Sequence, residues 1–249
     1  MDFRLSDDQR LLDESARKYL AGQYSFDLYR KQLAANVSFD ATRWSAMADL
    51  GWMALPFPES VGGYGGSLVD IQLIARRLGE RLCTDPWLSC AILPGKVLEF
   101  VGGDKAMTQL AGIAAGSSRA ALAAFEVLGH YDVERIDTLA TESVDGLRLD
   151  GGKSVVLGAE YAHVLLVTAR AANGEPLLIA VPPTAVGVTL KHYRVVDGSR
   201  ASEVELSGVR LPTDAIIARG PGVIEAVKRA IDIATVALCA DLLELRRRC

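Results

Sequence analysis

The sequence predicts an α+β protein in which an N-terminal all-helical domain (residues 1–118) precedes a β domain (residues 119–218) and a last helical segment (residues 219–249). Apolar residues recur with helical spacing in the first part, and helical spacing resumes after Gly220. Between them lie short, often β-branched runs divided by Gly, Asn, Pro and Asp. These runs predict a compact antiparallel β-barrel or sandwich.

The helical domain carries clear start and stop signals. Ser6 with Gln9 forms a capping-box pattern before the first helix. A second helix is expected from about residue 40 to Gly51, which suits the position after a helix end. Ser67 is expected to cap a third helix that ends at Gly79, and further helices are expected over residues 85–115.

The β domain is expected to contain eight strands joined by short turns. Asp145-Gly146 and Asn173-Gly174 are typical two-residue hairpin turns. The predicted strands cover residues 120–126, 138–141, 147–150, 154–157, 164–169, 177–181, 188–192 and 202–206.

The last helix is apolar nearly all round from Ile233 to Ala240. A helix of that kind needs burial on several sides. Since little sequence follows it, we expect a partner chain or a missing domain to supply the contacts.

Composition excludes several classes of protein. The 249 residues are 50% hydrophobic and 23% charged, which indicates a globular chain able to bury a core. A net charge of −4 argues against nucleic acid as a partner. The longest uncharged stretch, residues 176–190, is shorter than the roughly 20 apolar residues of a membrane-spanning helix.

Cysteine and histidine usage indicates no metal centre. The 4 Cys and 3 His are scattered and form no paired spacing, so we expect reduced thiols. The N-terminus is polar and acidic, which is unlike a secretory signal. These features predict a cytoplasmic location.

The glycine-rich segments do not match the phosphate-binding motifs that they resemble. Residues 151–154 (GGKS) match the end of a P-loop, but Leu147 stands where that motif needs its first Gly. No G-x-G-x-x-G pattern opens a helix after a predicted strand. Asp197 and Arg200 are expected to pair across a turn, as a structural contact.

Several sequence motifs resemble those of the acyl-CoA dehydrogenase family of flavoproteins. Residues 50–56 (LGWMALP) and 58–67 (PESVGGYGGS) are similar to that family's LGW…PExxGGxG signature. Residues 152–167 resemble its GxKxxIxxAxxADxxLVxA pattern, with His163 where Asp is usual, and residues 209–212 (VRLP) resemble the end of its β domain. The resemblance extends from residue 3 to about residue 243.

This resemblance implies a fold, a cofactor and a reaction. The last segment would be the first helix of a C-terminal helical domain, with FAD and an acyl-CoA thioester bound between that domain and the β domain. A glutamate of the family removes the α-proton, the β-hydrogen moves as hydride to the flavin, and electrons pass to an electron-transfer flavoprotein. The implied activity is that of an oxidoreductase acting on CH–CH groups in lipid or sterol catabolism.

The resemblance also implies site residues. The FAD-binding positions correspond to Phe125, Glu126, Val127, Gly129, Val155, Val156 and Leu157. The acyl-CoA-binding positions correspond to His130, Tyr131 and Asp132.

The chain departs from the family pattern at those positions. Phe125 replaces a hydroxyl that helps to hold the flavin, Val155 replaces an aromatic residue, and Leu157 replaces a second hydroxyl. No residue is assigned as catalytic base, because the family's C-terminal domain normally carries it. Glu126 corresponds to a loop glutamate of the family, for which a structural or flavin-positioning role is expected.

Four interpretations remain open from the sequence. In the first, the chain is an acyl-CoA dehydrogenase subunit completed by a second, dehydrogenase-like chain in a homo- or hetero-oligomer. In the second, suggested by the unfamiliar residues from Glu244 to Cys249, it is a non-catalytic, truncated remnant. In the third, the same architecture performs acyl-CoA oxidase or monooxygenase chemistry. The fourth is a binding module outside this family.

Overall fold

A computed structural model describes residues 4–144 and 146–245. Six α-helices form the first part of the chain: α1 (Asp7–Gln23), α2 (Phe26–Ala35), α3 (Ala41–Asp49), α4 (Leu68–Glu80), α5 (Leu93–Val101) and α6 (Asp104–Ala114). The start of the family resemblance at residue 3, the turn residue Asp145 and the unfamiliar residues 246–249 lie outside the described residues.

The helix start signals are confirmed. Ser6 and Gln9 form a capping box at α1, Asp40 caps α3, and Ser67 caps α4 together with Asp70. Helix α2 was not predicted. Its signal is weak because its ten residues bury only Gln32 fully, so no apolar stripe marks it.

The glycine-rich segment after α3 folds into a tight loop above the helical core. Trp52, Phe57 and Trp87 are fully buried there, and the Trp87 indole donates a hydrogen bond to the Trp52 carbonyl. A β-carbon on Gly63 would lie 2.9 Å from the Ala54 carbonyl oxygen. Only glycine fits this position, which gives the GGxG signature a packing role.

One eight-stranded sheet forms the second part of the chain. Its strands are β1 (Ala120–Ala123), β2 (Leu139–Ser143), β3 (Gly146–Leu157), β4 (Val164–Ala171), β5 (Pro176–Val181), β6 (Val188–Arg194), β7 (Arg200–Leu211) and β8 (Ile216–Arg219). The strand order is β6-β7-β3-β2-β4-β5-β8, and β1 pairs with β4.

The predicted fold class is confirmed, and the sheet proves to be mixed. The ladders of β4 with β1 and with β2 are parallel, whereas the other ladders are antiparallel. Strand β4 is buried at Leu165–Ala169, so its sequence is a continuous apolar run rather than an alternation. Such a run does not indicate in which direction its neighbours point.

Strand β3 joins two runs that were predicted separately. Its pairing with β7 shifts register near Gly151 and again between Lys153 and Val156. Val155 lies in the second shift with φ +51°, a conformation that β-branched residues rarely adopt. These two bulges explain why the sequence appears to break there.

Helix α7 (Gly222–Leu245) follows the sheet and packs against α4 and α5. Its buried face consists of Val223, Ala226, Val227, Ala230, Ala237 and Ala240. The expectation that nothing within the chain buries this helix is therefore wrong for one face. Another face leaves Leu238, Leu242 and Leu243 exposed.

Gly79 allows α4 and α7 to approach closely. A β-carbon on Gly79 would lie 2.5 Å from Asp241 Oδ1 and nearer still to the Asp241 carbonyl oxygen.

Within the described ranges, no helix is long and apolar enough to cross a bilayer. The domain boundaries at 118/119 and 218/219 stay a prediction.

Candidate functional site

A cavity of about 420 Å³ lies where the helices meet the β domain. This volume is within the range typical of small-molecule sites. Helix α4 and the segment after it form one wall, α7 forms another, and the β-domain side is formed by Phe125, Leu157 and the turn between β6 and β7. The apolar lining includes Leu78, Leu82, Leu88, Leu93, Phe125, Leu157, Ile231, Ala234 and Leu238.

Several polar groups on the cavity wall are engaged in structural contacts. Asp85 accepts hydrogen bonds from the Asp40 backbone (2.9 Å), from Arg43 Nε (2.7 Å) and from the Tyr24 hydroxyl. Burial of the Tyr24 phenol raises its pKa, and the charge of Asp85 adds to this effect. Asp85 is therefore part of a buried cluster rather than a free carboxylate.

Two predicted FAD-binding residues, Phe125 and Leu157, meet at the cavity. The Phe125 ring stands edge to face on Tyr131, with 5.5 Å between ring centroids. The Phe125 carbonyl accepts a hydrogen bond from the Ser154 backbone at 2.9 Å. This surface is apolar, and its backbone is already paired.

Glu126 lies behind that surface in a buried ion pair. Its carboxylate Oε1 is 2.5 Å from Lys153 Nζ, and the carboxylate accepts hydrogen bonds from the backbone and hydroxyl of Thr138. Lys153 also donates to Thr168 Oγ1 at 3.0 Å. Burial lowers the Lys153 pKa to about 8, and the charge of Glu126 opposes that shift. The sequence drew attention to Glu126 but missed this partner.

The other predicted positions are dispersed. Val156 belongs to the core of the β domain, whereas Val127 borders a shallow groove with Gly152 and Lys191. Gly129 lies in the loop after β1, where its N–H donates to the Glu126 carbonyl, and Val155 occupies the bulge in β3.

The predicted acyl-CoA contacts lie outside the cavity lining. His130, Tyr131 and Asp132 are exposed in the loop after β1, and His130 has φ +52°. Lys228 of α7 forms an ion pair with Glu134 of the same loop. Binding roles for His130, Tyr131 and Asp132 stay predictions.

Two residues that sequence reasoning missed face the cavity. Asp241 of α7 is half-buried and has no hydrogen-bond or ion-pair partner among the described residues. Burial raises its pKa to about 6, with a further contribution from the charge of Asp197. Thr84 is 7% exposed, and its hydroxyl has no partner in the part of the chain that the structure describes. The available signal was the polar residue on an apolar helix.

The predicted Asp197–Arg200 pair is wrong. Arg200 Nε instead binds Glu160 at 2.7 Å, and Arg200 Nη1 binds Asn36. Asp197 accepts hydrogen bonds from the backbone and hydroxyl of Ser199. The turn between them directs the two side chains to different partners, so the Asp197 carboxyl group lies beside the cavity rather than against Arg200.

Replacing Asp241 by Asn should stabilise the protein at neutral pH. The folded-state pKa of about 6 exceeds the ordinary value of 3.8, so the ionised carboxylate opposes folding once the pH rises past that range. We expect Asp241→Asn to raise the free energy of unfolding by about 1–2 kcal/mol at pH 7.5, allowing for partial exposure.

The advantage should disappear as the pH falls below about 4, where Asp241 is protonated in both states. Urea unfolding at several pH values measures the difference. The exposed Asp232→Asn, on the same helix, should change stability by less than about 0.5 kcal/mol throughout. An Asp241→Asn effect that is constant with pH would contradict the assignment.

The predicted flavin positions do not fit a flavin held by this chain alone. A bound flavin needs hydrogen-bond partners for the polar edge of its ring, because buried polar groups without partners are costly. Apart from Glu126, the predicted positions are Val, Leu, Phe and Gly, which have no side-chain hydrogen-bonding group. The Glu126 carboxylate is already paired with Lys153 and Thr138. Within the described residues, no cluster suited to a metal ion is found.

The amino-acid sequence is similar to those of known acyl-CoA dehydrogenases. Residues 6–94 match the family described as acyl-CoA dehydrogenase, N-terminal domain. The probable acyl-CoA dehydrogenase YngJ of Bacillus subtilis is 25% identical over 224 residues, covering 85% of this chain and 58% of that protein. Acyl-CoA dehydrogenase FadE28 of Mycobacterium tuberculosis is 31% identical over 178 residues, covering 70% of this chain and 49% of that protein.

Among solved structures, the ChsE4-ChsE5 complex from Mycobacterium tuberculosis shares the fold. Its TM-score is 0.84 at 21% identity, over 100% of this chain and 66% of that chain. The chain therefore spans between about half and two thirds of the length of the relatives it matches.

Proposed function

Because the chain belongs to the acyl-CoA dehydrogenase family, we propose that it is a subunit of an enzyme for the FAD-dependent α,β-dehydrogenation of an acyl-CoA thioester. In this proposal the acyl group, fatty or sterol-derived, occupies the cavity between α4, α7 and the β domain. A second, dehydrogenase-like chain supplies the flavin contacts and the catalytic base. An electron-transfer flavoprotein takes up the electrons.

The cavity is the observation that carries this proposal. Its walls are largely apolar and are formed by all three parts of the chain. Apolar surface that a ligand removes from water contributes about 25 cal/mol per Å². The acyl chain is the part of an acyl-CoA whose burial against such walls would contribute this free energy to binding.

The need for a partner is supported by two features. The apolar side chains at Phe125 and Leu157 leave the polar edge of a flavin without side-chain hydrogen bonds. Leu238, Leu242 and Leu243 also expose an apolar strip on α7. The ChsE4-ChsE5 structure, which shares this fold, is by its name a complex. A cytoplasmic location is part of the same proposal.

Titration with dodecanoyl-CoA tests the cavity. Leu238 lines it, so Leu238→Arg should weaken binding at least tenfold by bringing a charge into an apolar space. Leu242 lies one turn further along α7 but outside the lining, so Leu242→Arg is the matched control and should leave the affinity unchanged. Equal behaviour of the two variants would contradict the proposed site.

The visible absorption spectrum tests the partner requirement. We expect the purified chain to be colourless and to show no flavin band after FAD is added. A mixture with the completing chain should retain FAD, and an acyl-CoA should bleach that band without oxygen. A flavin band that the chain retains and bleaches alone would remove the need for a partner while keeping the reaction class.

A non-catalytic role is the second candidate. The pairing of Glu126 with Lys153 favours it, because this carboxylate behind the predicted flavin surface is held in a buried ion pair. A mixed oligomer whose turnover is unaffected by Leu238→Arg would support this role.

A further inference from the structure

Helix α7 presents one stripe of side chains to the cavity. Ile231, Ala234, Leu238 and Asp241 follow one another at spacings of three or four residues, and all four line it. The ten residue steps from Ile231 to Asp241 span about 15 Å of helix. The stripe is therefore apolar until it reaches a carboxylate at one end.

That carboxylate lies at the end remote from the predicted flavin surface. The Lys228–Glu134 ion pair holds the first half of α7 beside the loop that begins at Phe125. Asp241 lies 13 residues further along the helix, in the field of the charged Asp197 in the turn between β6 and β7.

Thr84 belongs to the same end of the cavity. A β-carbon on Gly198, the neighbour of Asp197, would lie 3.5 Å from Thr84 Cγ2. The Thr84 hydroxyl is buried and unpartnered within the described ranges, although the residue lines the cavity. Buried hydroxyls without a partner are uncommon in folded proteins.

Two other polar side chains on the wall, Arg200 and Tyr161, are already paired. Arg200 binds Glu160 and Asn36, and the Tyr161 hydroxyl is bonded to Ser38. Asp241 and Thr84 thus provide an acceptor and a hydroxyl that have no partner among residues 4–144 and 146–245.

We propose that Asp241 and Thr84 form a subsite for a hydroxyl group on the acyl chain, remote from the thioester; this rests on the proposed function. The ligand hydroxyl would donate a hydrogen bond to the Asp241 carboxylate and accept one from Thr84. Hydrogen bonds to charged groups are stronger than those between neutral groups. The Asp241 carboxylate therefore adds selectivity for a hydroxylated acyl chain as well as affinity. A second carboxylate on the acyl chain would be repelled by Asp241 and Asp197.

Three thioesters of equal length test the subsite by calorimetric titration of the full chain. The probes are dodecanoyl-CoA, 12-hydroxydodecanoyl-CoA and the mono-CoA thioester of dodecanedioic acid. We expect the hydroxylated probe to bind at least tenfold more tightly than dodecanoyl-CoA, and the diacid probe to bind at least tenfold more weakly. Asp241→Ala should bring the hydroxylated and plain probes within about twofold of each other.

Two further variants test the hydroxyl subsite without relying on Asp241→Ala. Thr84→Val should reduce the hydroxyl preference, measured as the ratio of the affinities for the hydroxylated and the plain probe, at least threefold. Leu238→Ala should weaken the binding of all three probes by the same factor, because it removes an apolar contact that they share.

The outcomes separate this inference from the proposed function. If wild-type protein binds all three probes equally, or prefers the diacid, the hydroxyl subsite is overturned and the acyl-CoA site stands. If it binds none of them, the proposed function itself fails.

Discussion

Replacing Lys153 by Met should destabilise the protein by about 3–5 kcal/mol. Lys153 is fully buried and its Nζ lies 2.5 Å from Glu126 Oε1. Methionine fills the space of the aliphatic stem but leaves the Glu126 carboxylate buried without its cation. Removing one partner of a buried ion pair typically has a cost of this size, because the remaining charge has lost its solvation and its counterion.

The pH dependence of that loss identifies its cause. In Lys153→Met the unpaired carboxylate should favour its protonated form, so its pKa in the folded state rises. The penalty is then present above the ordinary pKa of a glutamate and is lost as the pH falls towards about 4. Urea unfolding at pH 7.5 and pH 4 measures the difference.

Two controls accompany this variant. The double variant E126Q/K153M should recover much of the lost stability, because no buried charge remains. Lys18 forms an exposed pair with Glu14, so Lys18→Met should cost less than about 1 kcal/mol. A loss in Lys153→Met that the double variant does not reduce would mean that packing, rather than charge, accounts for the effect.

Replacing Gly79 by Ala should have the second large effect, a loss of about 3 kcal/mol or more. The new methyl group would lie 2.5 Å from Asp241 Oδ1, and closer to the Asp241 carbonyl oxygen of the α7 backbone. Overpacking typically costs about 1–3 kcal/mol and occasionally more. A value at the upper end is expected here because the helix backbone itself must move. Since Gly79 and Asp241 both line the cavity, dodecanoyl-CoA binding should weaken as well.

Gly22 provides the matched control for this substitution. It lies within α1 and a β-carbon there would meet no atom within 4 Å. Gly22→Ala should therefore stabilise the protein by about 0.4–1 kcal/mol through helix propensity and reduced freedom of the unfolded chain. Thermal unfolding of both variants gives the comparison. If Gly79→Ala is as stable as wild type, the close approach of α4 and α7 is not required for folding.

The starts of α1, α3 and α4 were predictable from the sequence because they depend on local signals. Capping residues such as Ser6, Asp40 and Ser67 act within a few residues of themselves. The direction of the strands beside β4 was not predictable, because a buried strand with an apolar run looks the same in a parallel and an antiparallel ladder.

The site was less predictable than the fold. Phe125 and Leu157 were found through resemblance, and both line the cavity. Asp241 has only a weak local signal, as a polar residue on an apolar helix, and Thr84 has none, because the importance of both arises from a cavity formed by segments distant in sequence. The partners of Glu126 and Arg200 depend equally on long-range packing, and the sequence alone does not indicate them.

The late position of α7 in the chain has a consequence for the order in which the protein matures during synthesis. The cavity draws residues from Ser38 to Asp241, so its last wall emerges from the ribosome after every strand of the sheet has been made. Before then, the apolar faces of α4 and α5 that α7 covers are open to water. A ligand that needs this wall stabilises only the chain with α7 docked, and by mass action it would favour completion of this last step.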